Sequence, residues 1–116
     1  KLMMNTAEYW LALDKLIANS EIIIDRPKGS QHPRYDFIYE VDYGYLKNTL
    51  SMDGGGIDIW KGTCEEPKCD AIICTVDLAK RDSEIKLLLG CNEKEKDIIM
   101  KFHNDSDSMK GLLLRR

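Results

Sequence analysis

A run of three glycines between two aspartates, Asp53 and Asp58, is the feature that most constrains the fold of this chain. Glycine adopts positive φ without steric cost, so residues 54–56 predict a sharp backbone turn. An aromatic, strand-like run from Tyr39 to Leu46 precedes the turn, and a short apolar strand from Ile57 to Trp60 follows it. The segment therefore predicts extended backbone on either side of a tight turn, with a carboxylate at each end of the glycine run.

Two carboxylates held by such a turn can converge on one hard cation. Oxygen ligands on a rigid loop suit Mg²⁺, and Mg²⁺ in proteins is commonly bound together with phosphate. The alternative is a β-turn in which Asp53 and Asp58 are both solvated. The spacing alone leaves both interpretations open.

The same segment resembles the metal loop of the soluble inorganic pyrophosphatase family, which reads approximately Y-P-x-D/N-Y-G-F/Y followed by T-L-S-x-D-G-D-P-x-D. The positions that match are Tyr39, Asp42, Tyr43, Gly44, Tyr45, Thr49, Leu50, Ser51, Asp53, Gly54 and Asp58. Upstream, IDRP and HPRYD are similar to the family's I-E-I-P and K-Y-E. Asp25 and Asp36 then stand where the family has glutamate, and Arg34 stands where it has lysine. The clear resemblance covers residues 22–60, and a weaker one continues through residues 72–89.

The resemblance implies Mg²⁺-dependent hydrolysis of pyrophosphate or a related small phosphoanhydride, with Mn²⁺ as an alternative ion. The implied catalytic residues are Asp58, Asp53 and Tyr43, whose hydroxyl would bond the leaving phosphate. The implied metal ligands are Asp53, Asp58, Asp82, Asp25 and Asp36. The candidates for binding phosphate are Arg34, Lys86 and Lys28, and arginine suits bidentate contact with phosphate oxygens.

The later acidic residues of the site have an ambiguous register. The family carries an acidic pair and a lysine on a hairpin after the metal loop. Asp77 and Asp82 keep the spacing of the acidic pair, whereas Glu84 and Lys86 keep the acid-x-lysine spacing. No gap-free alignment keeps both, so ordinary hairpin charges remain the alternative for these residues.

Gly55 is the main departure from the family pattern. The family has an aspartate there that orients the nucleophilic water, and a positioned general base contributes roughly 10²–10⁴-fold to a rate. The chain is also short between Asp36 and Tyr39, where the family has a hairpin with a phosphate-binding arginine. Two hypotheses follow. The first is a pyrophosphatase-type hydrolase, and the second is a weakened or inactive homologue that binds phosphate, metal or a partner protein.

Composition narrows the class of protein. A length of 116 residues predicts a single domain, residues 1–116. The net charge of −3 argues against nucleic-acid binding, which usually needs a basic excess. No apolar run approaches the ~18 residues that a membrane span needs, and the first ten residues lack a signal-peptide layout, so we expect a cytoplasmic protein. The resemblance also implies a homo-oligomer.

The hydrophobic pattern predicts a mainly β protein. Residues 6–18 show helical spacing, with Asn5 or Thr6 as the cap. Strands are expected at residues 21–25, 57–60, 71–78 and 84–90, and helices at 93–103 and 107–114. Together these elements predict a small closed OB-like β-barrel with flanking N- and C-terminal helices. The helix would occupy residues 1–20, the barrel 21–90 and a C-terminal helical segment 91–116.

Three of the four cysteines, Cys64, Cys69 and Cys74, are spaced C-x4-C-x4-C. Zinc sites more often use a C-x2-C pair, so we expect reduced thiols. A disulfide between Cys64 and Cys69 is the alternative.

Overall fold

The computed structural model describes residues 6–116. In chain order its elements are α1 (Thr6–Ala18), β1 (Ile22–Arg26), β2 (Asp42–Leu46), β3 (Ile57–Lys61), β4 (Cys69–Asp77), β5 (Asp82–Leu89), α2 (Glu93–Phe102) and β6 (Met109–Arg115). The helix predicted over residues 6–18 is confirmed, and the alternative cap Asn5 lies outside the described residues. No helix among the described residues has the length and apolarity to cross a bilayer.

The six strands form one sheet in the order β1-β2-β3-β5-β4-β6. Strand β3 pairs with β5 in parallel, and every other neighbouring pair is antiparallel. The β4–β5 hairpin therefore inserts its second strand between β3 and β4. As a result, β3 lies next to β5 and not next to β4, which follows it in the sequence.

The predicted closed barrel is not supported, because the sheet is not closed by hydrogen bonds between the first and last strands of that order. Part of the difference lies in residues 109–115. They fall in the segment predicted to be helical, yet they pair antiparallel along the length of β4 and form an edge strand. The prediction of a mainly β fold with two helices, α1 and α2, is confirmed, but the last element of the chain is a strand and not a helix.

Alternation along the strands divides the apolar residues between the two faces of the sheet, because successive side chains of a strand point to opposite sides. One face packs against α1 through a core that includes Trp10, Ile59 and Leu87. The other face packs against α2 and the aromatic segment before β2, with Trp60 and Leu88 in its core. We call these the α1 face and the α2 face.

Two local devices fix the ends of elements near the α2 face. Helix α2 begins with a capping box, in which Asn92 accepts from the Glu95 amide and the Glu95 carboxylate accepts from the Asn92 amide. The β4–β5 turn is held by the Asp77 carboxylate, which accepts from the backbone amides of Ala79 and Lys80, each at 3.0 Å. All four cysteines are free thiols, so the predicted disulfide alternative is not formed.

Candidate functional site

Four side chains from three strands meet at the ammonium group of Lys86. Lys86 Nζ donates to Asp58 Oδ2 at 2.8 Å, to the Tyr43 hydroxyl at 3.0 Å and to Glu84 Oε2 at 3.2 Å. The Lys86 side chain is only 8% exposed, against 15% for Glu84 and 29% for Asp58. We call these four residues the Lys86 cluster. It lies at the solvent edge of the α2 face, where one side of the carboxylates remains open to water.

Strand register explains why residues so far apart in sequence converge. Tyr43 lies opposite Trp60, so Asp58, two residues before Trp60, points to the same side of the sheet. Strand β5 then runs parallel to β3, with Trp60 beside Leu88. Lys86 is two residues before Leu88 and therefore shares that side. The sheet order alone thus brings the side chains of β2, β3 and β5 together.

The pairing also resolves the ambiguous register of the acidic residues. Glu84 and Lys86 are two residues apart on β5, and both reach the cluster, so the acid-x-lysine spacing is the one with a structural counterpart. Asp77 instead caps the hairpin turn. Asp82 opens β5 on the same side as Glu84 and is partly exposed. Its predicted role as a metal ligand stays a prediction.

Burial and nearby charges fix the protonation states of Lys86 and Tyr43. Burial alone would lower the pKa of Lys86, but the adjacent Tyr43 oxygen and Asp58 carboxylate outweigh it and raise the pKa above its usual value. For Tyr43, burial raises the pKa well above its usual range, and the nearby Asp58 charge adds to the effect. Near neutral pH the cluster therefore holds a charged ammonium and a neutral phenol.

Asp53 is held differently from Asp58. Its Oδ1 accepts from Ser51 Oγ at 2.6 Å and from the Gly55 amide at 2.9 Å, and the residue is exposed at the tip of the turn. The Ser51 hydrogen bond is the main reason that the pKa of Asp53 is lowered. Gly54 adopts a φ of 83°, as the glycine run predicts. Asp53 therefore behaves as a turn residue, whereas Asp58 belongs to the Lys86 cluster.

The remaining predicted residues lie on the surface. Asp25, Asp36 and Arg34 are exposed, and within residues 6–116 their side chains form no salt bridge shorter than 4.0 Å. Lys28 is also exposed and contacts its neighbours through its backbone amide, which donates to Asp42 Oδ1 at 2.7 Å. The roles assigned to these residues stay predictions.

The carboxylates do not fit a resident Mg²⁺ ion in this arrangement. In the described part of the chain, no three His, Cys, Asp or Glu side chains are grouped so that they could hold a metal. One oxygen each of Asp58 and Glu84 bonds the Lys86 ammonium, and one oxygen of Asp53 is used within its own turn. A cation of the protein itself thus occupies the position between the carboxylates.

A cleft of about 770 Å³ lies beside the glycine turn. Its lining is mostly apolar, and the residues that face it include Tyr9, Leu13, Leu50, Met52, Ile57, Cys74, Ile85 and Leu87. Most of these belong to α1, to the turn or to the α1 face. Asp58 and Glu84 border the cleft, but they use a carboxylate oxygen to bond Lys86 on the opposite face. Its apolar walls do not suit a phosphate group.

Sequence reasoning missed one residue next to the cluster. Arg26 ends β1, and its Nη1 donates to the Tyr39 hydroxyl at 2.7 Å. Its guanidinium carbon lies 6.0 Å from the centre of the Tyr43 ring. The available signal was its position immediately after Asp25 at the end of a β-branched strand, but period-two alternation cannot show where a strand-end side chain points.

Comparison with known proteins gives agreement at the level of the fold. No protein-family model matches the sequence, and no curated protein matches it significantly. Among solved structures, the inorganic pyrophosphatase of Helicobacter pylori is similar, with a TM-score of 0.61, 14% identity and 84% of each chain covered. An inorganic phosphatase of Anaplasma phagocytophilum gives a TM-score of 0.55, 12% identity and 81% coverage of each chain. An inorganic pyrophosphatase of Neisseria gonorrhoeae gives 0.53, 16% and 77% of each chain. The chain therefore shares their fold, as the resemblance implied.

Proposed function

We propose that this chain is a divergent member of the inorganic pyrophosphatase family, and that its Lys86 cluster binds pyrophosphate or a related small phosphoanhydride. The observation that carries the proposal is the convergence of Tyr43, Asp58 and Lys86. Each is a position that the family resemblance singles out, and the three come from separate strands. The Tyr43 hydroxyl and the Asp58 carboxylate both lie within 3.0 Å of the Lys86 ammonium nitrogen.

The residues of the cluster suit a phosphate ligand in distinct ways. Lys86 remains charged and can turn its ammonium from a carboxylate towards a phosphate oxygen. Tyr43 remains neutral, so its O–H can donate to the same ligand in place of Asp58. Phosphoryl transfer depends mainly on positioning and on stabilising charge on the phosphate oxygens. Asp58 fixes the position of Lys86 from the other side.

We infer that hydrolysis at this site is slow. Gly55 offers no side chain to accept a proton from water, and a carboxylate in its place would be worth about 10²–10⁴-fold in rate. The backbone amide of Gly55 bonds Asp53, which further ties the turn to itself. Mg²⁺ dependence belongs to the family pattern, but the carboxylate arrangement does not support it, so the metal is a variable of the test.

A binding module without turnover is the second candidate. Two observations favour it: Gly55 at the centre of the turn, and the lack, within residues 6–116, of a group of three potential metal ligands. It predicts the same ligand and the same cluster, and it differs from the first candidate only in releasing no phosphate.

The test pairs phosphate release with calorimetric binding of pyrophosphate, each with Mg²⁺, with Mn²⁺ and with EDTA. Asp58→Asn is the test variant, and Asp107→Asn, an exposed loop aspartate, is the matched control. Binding that Asp58→Asn weakens, with slow release, supports the hydrolase. Binding without release supports the module. Failure of the wild type to bind under all three conditions overturns both. Self-association and cytoplasmic location remain predictions.

A further inference from the structure

The position of Arg26 follows from an irregularity in β1. The pairing register between β1 and β2 shifts between Ile24 and Arg26, which places Arg26 opposite Tyr43. Such bulges redirect a side chain and often occur beside functional sites. Here the guanidinium lies over two aromatic rings, 5.8 Å from the centre of Tyr39 and 6.0 Å from that of Tyr43.

The charge of Arg26 has no carboxylate in direct contact, although the charge of Asp25 helps to raise its pKa. Within the described chain Arg26 forms no salt bridge, and the adjacent Asp25 is exposed and farther than 4.0 Å. Lys86, by contrast, has two carboxylates. A guanidinium has five N–H donors, and only one of them bonds the Tyr39 hydroxyl. The other guanidinium nitrogens of Arg26 are not among the buried unpaired atoms of residues 6–116, so they are open to a ligand, and phosphate matches their geometry.

Two further cations gather on the same side of the molecule. Burial lowers the pKa of His32, and the positive charges of Arg26, Lys80 and Arg34 lower it further. Arg34 is positioned by its amide, which donates to His32 Nδ1 at 3.0 Å. The amide of Lys80 donates to Asp77 in the hairpin turn. Three cations without a salt bridge in residues 6–116 thus act on one imidazole, in a chain with a net charge of −3.

Tyr43 lies between this group and the Lys86 cluster. Arg26 is 6.0 Å from the centre of its ring, and Lys86 Nζ is 5.5 Å from the same point. A ligand with two linked phosphate groups can reach cations on both sides of one tyrosine ring. Because inorganic phosphate is shorter than a diphosphate, we expect it to engage one of the two cations.

We propose that Arg26, with Arg34 and Lys80 at its rim, forms a second anion subsite that holds the distal phosphate of a diphosphate ligand whose other phosphate lies at Lys86. The inference rests on the proposed function, because the Lys86 cluster supplies the first subsite. It assigns to Arg26 the role of a specificity residue that distinguishes diphosphates from inorganic phosphate.

The experiment measures binding of pyrophosphate and of inorganic phosphate by calorimetry. Arg26→Gln is expected to weaken pyrophosphate binding roughly 10- to 100-fold, the usual effect of losing hydrogen bonds to a charged group. Its effect on inorganic phosphate should be much smaller. Arg26→Lys should restore part of the loss, and Lys80→Gln, at an exposed turn, should give a smaller loss. Lys94→Gln removes the same unit of charge from an exposed position of α2 and should change nothing.

Tyr43→Phe separates this inference from the proposed function, because it removes a hydroxyl of the Lys86 cluster and keeps the ring. If Tyr43→Phe weakens binding while Arg26→Gln and Lys80→Gln do not, the second subsite is refuted and the proposed function stands. If only the Arg26 and Lys80 variants weaken binding, Arg26 binds an anion, but the inference that the other phosphate lies at Lys86 is refuted together with the proposed function. Absence of pyrophosphate binding by the wild type overturns both. If Arg26→Gln does not give the far-ultraviolet spectrum of the wild type, Lys80→Gln decides the outcome.

Discussion

Lowering the pH from about 7.5 to about 5 is expected to destabilise the folded chain by about 2 kcal/mol through His103 alone. His103 is 2% exposed, and its Nε2 accepts from the Trp60 indole N–H at 3.1 Å. Its Nδ1 lies 3.3 Å from Met109 Sδ, so the neutral ring with its proton on Nδ1 satisfies both contacts. A second proton on Nε2 would face the indole donor.

The magnitude follows from the difference in pKa between the two states. Burial, assisted by the charge of Lys86, lowers the pKa of His103 to about 3, whereas an unfolded histidine titrates near ~6.5. Between these values the unfolded chain binds a proton that the folded chain does not bind, so stability rises with pH and is lost as pH falls. At about pH 5 the loss is about 2 kcal/mol, and it grows by about 1.4 kcal/mol for each further pH unit down to about 3.

Urea unfolding at several pH values between about 5 and 7.5 measures this slope, in a window above the range in which carboxylates titrate. His103→Gln is expected to be less stable than the wild type at neutral pH, yet to lose about 2 kcal/mol less on acidification. His32→Gln is the matched control. His32 is partly exposed and its pKa is also lowered, mainly by burial, so this variant should keep most of the wild-type slope. An unchanged slope in His103→Gln would refute the reasoning.

Three further outcomes are expected. Gly44→Ala should destabilise the fold by about 3 kcal/mol or more in urea unfolding, because the added methyl would overlap the carbonyl of Ile23 on the paired strand. Glu95→Ala should lower the melting temperature by an amount equivalent to about 1–3 kcal/mol, because its carboxylate holds two backbone amides, one of them in the capping box. Lys86→Met should cost roughly 2 kcal/mol at pH 7, below the value for fully buried pairs because Asp58 is 29% exposed. Urea unfolding of Lys86→Met measures this loss, and a free energy of unfolding equal to that of the wild type would contradict this account.

Local pattern predicted most elements, but the closed barrel that it predicted is not supported by the open sheet. The 3.6-residue period located α1 at its observed bounds, and β-branched or alternating runs located β1 and β3–β5 to within about two residues. The helix predicted over residues 107–114 was wrong. A run of leucines between glycine and arginine has no helical or strand period, and its conformation is decided by pairing with the free edge of β4. That pairing is a tertiary effect which a local pattern does not contain.

The sequence likewise predicted only part of the candidate site. The signature identified Tyr43, Asp58 and Lys86, and the sheet brings these three together. It did not decide between Asp77 and Glu84, because only the β3–β5 register shows which acid reaches the lysine. Nor did it find Arg26, whose direction depends on a bulge that appears only once β1 is paired.

The parallel contact between β3 and β5 divides the sheet into two antiparallel halves, β1-β2-β3 and β5-β4-β6. Tyr43 and Asp58 belong to the first half, and Glu84 and Lys86 belong to the second. The ion pair between Asp58 and Lys86 therefore connects the two halves. Because Asp58 and Lys86 lie on different halves, this ion pair forms only where the two halves are docked. A ligand bound by Arg26 and Lys86 would contact both halves. Amide hydrogen exchange along β3 and β5 should then slow as the fraction of chains with bound ligand rises.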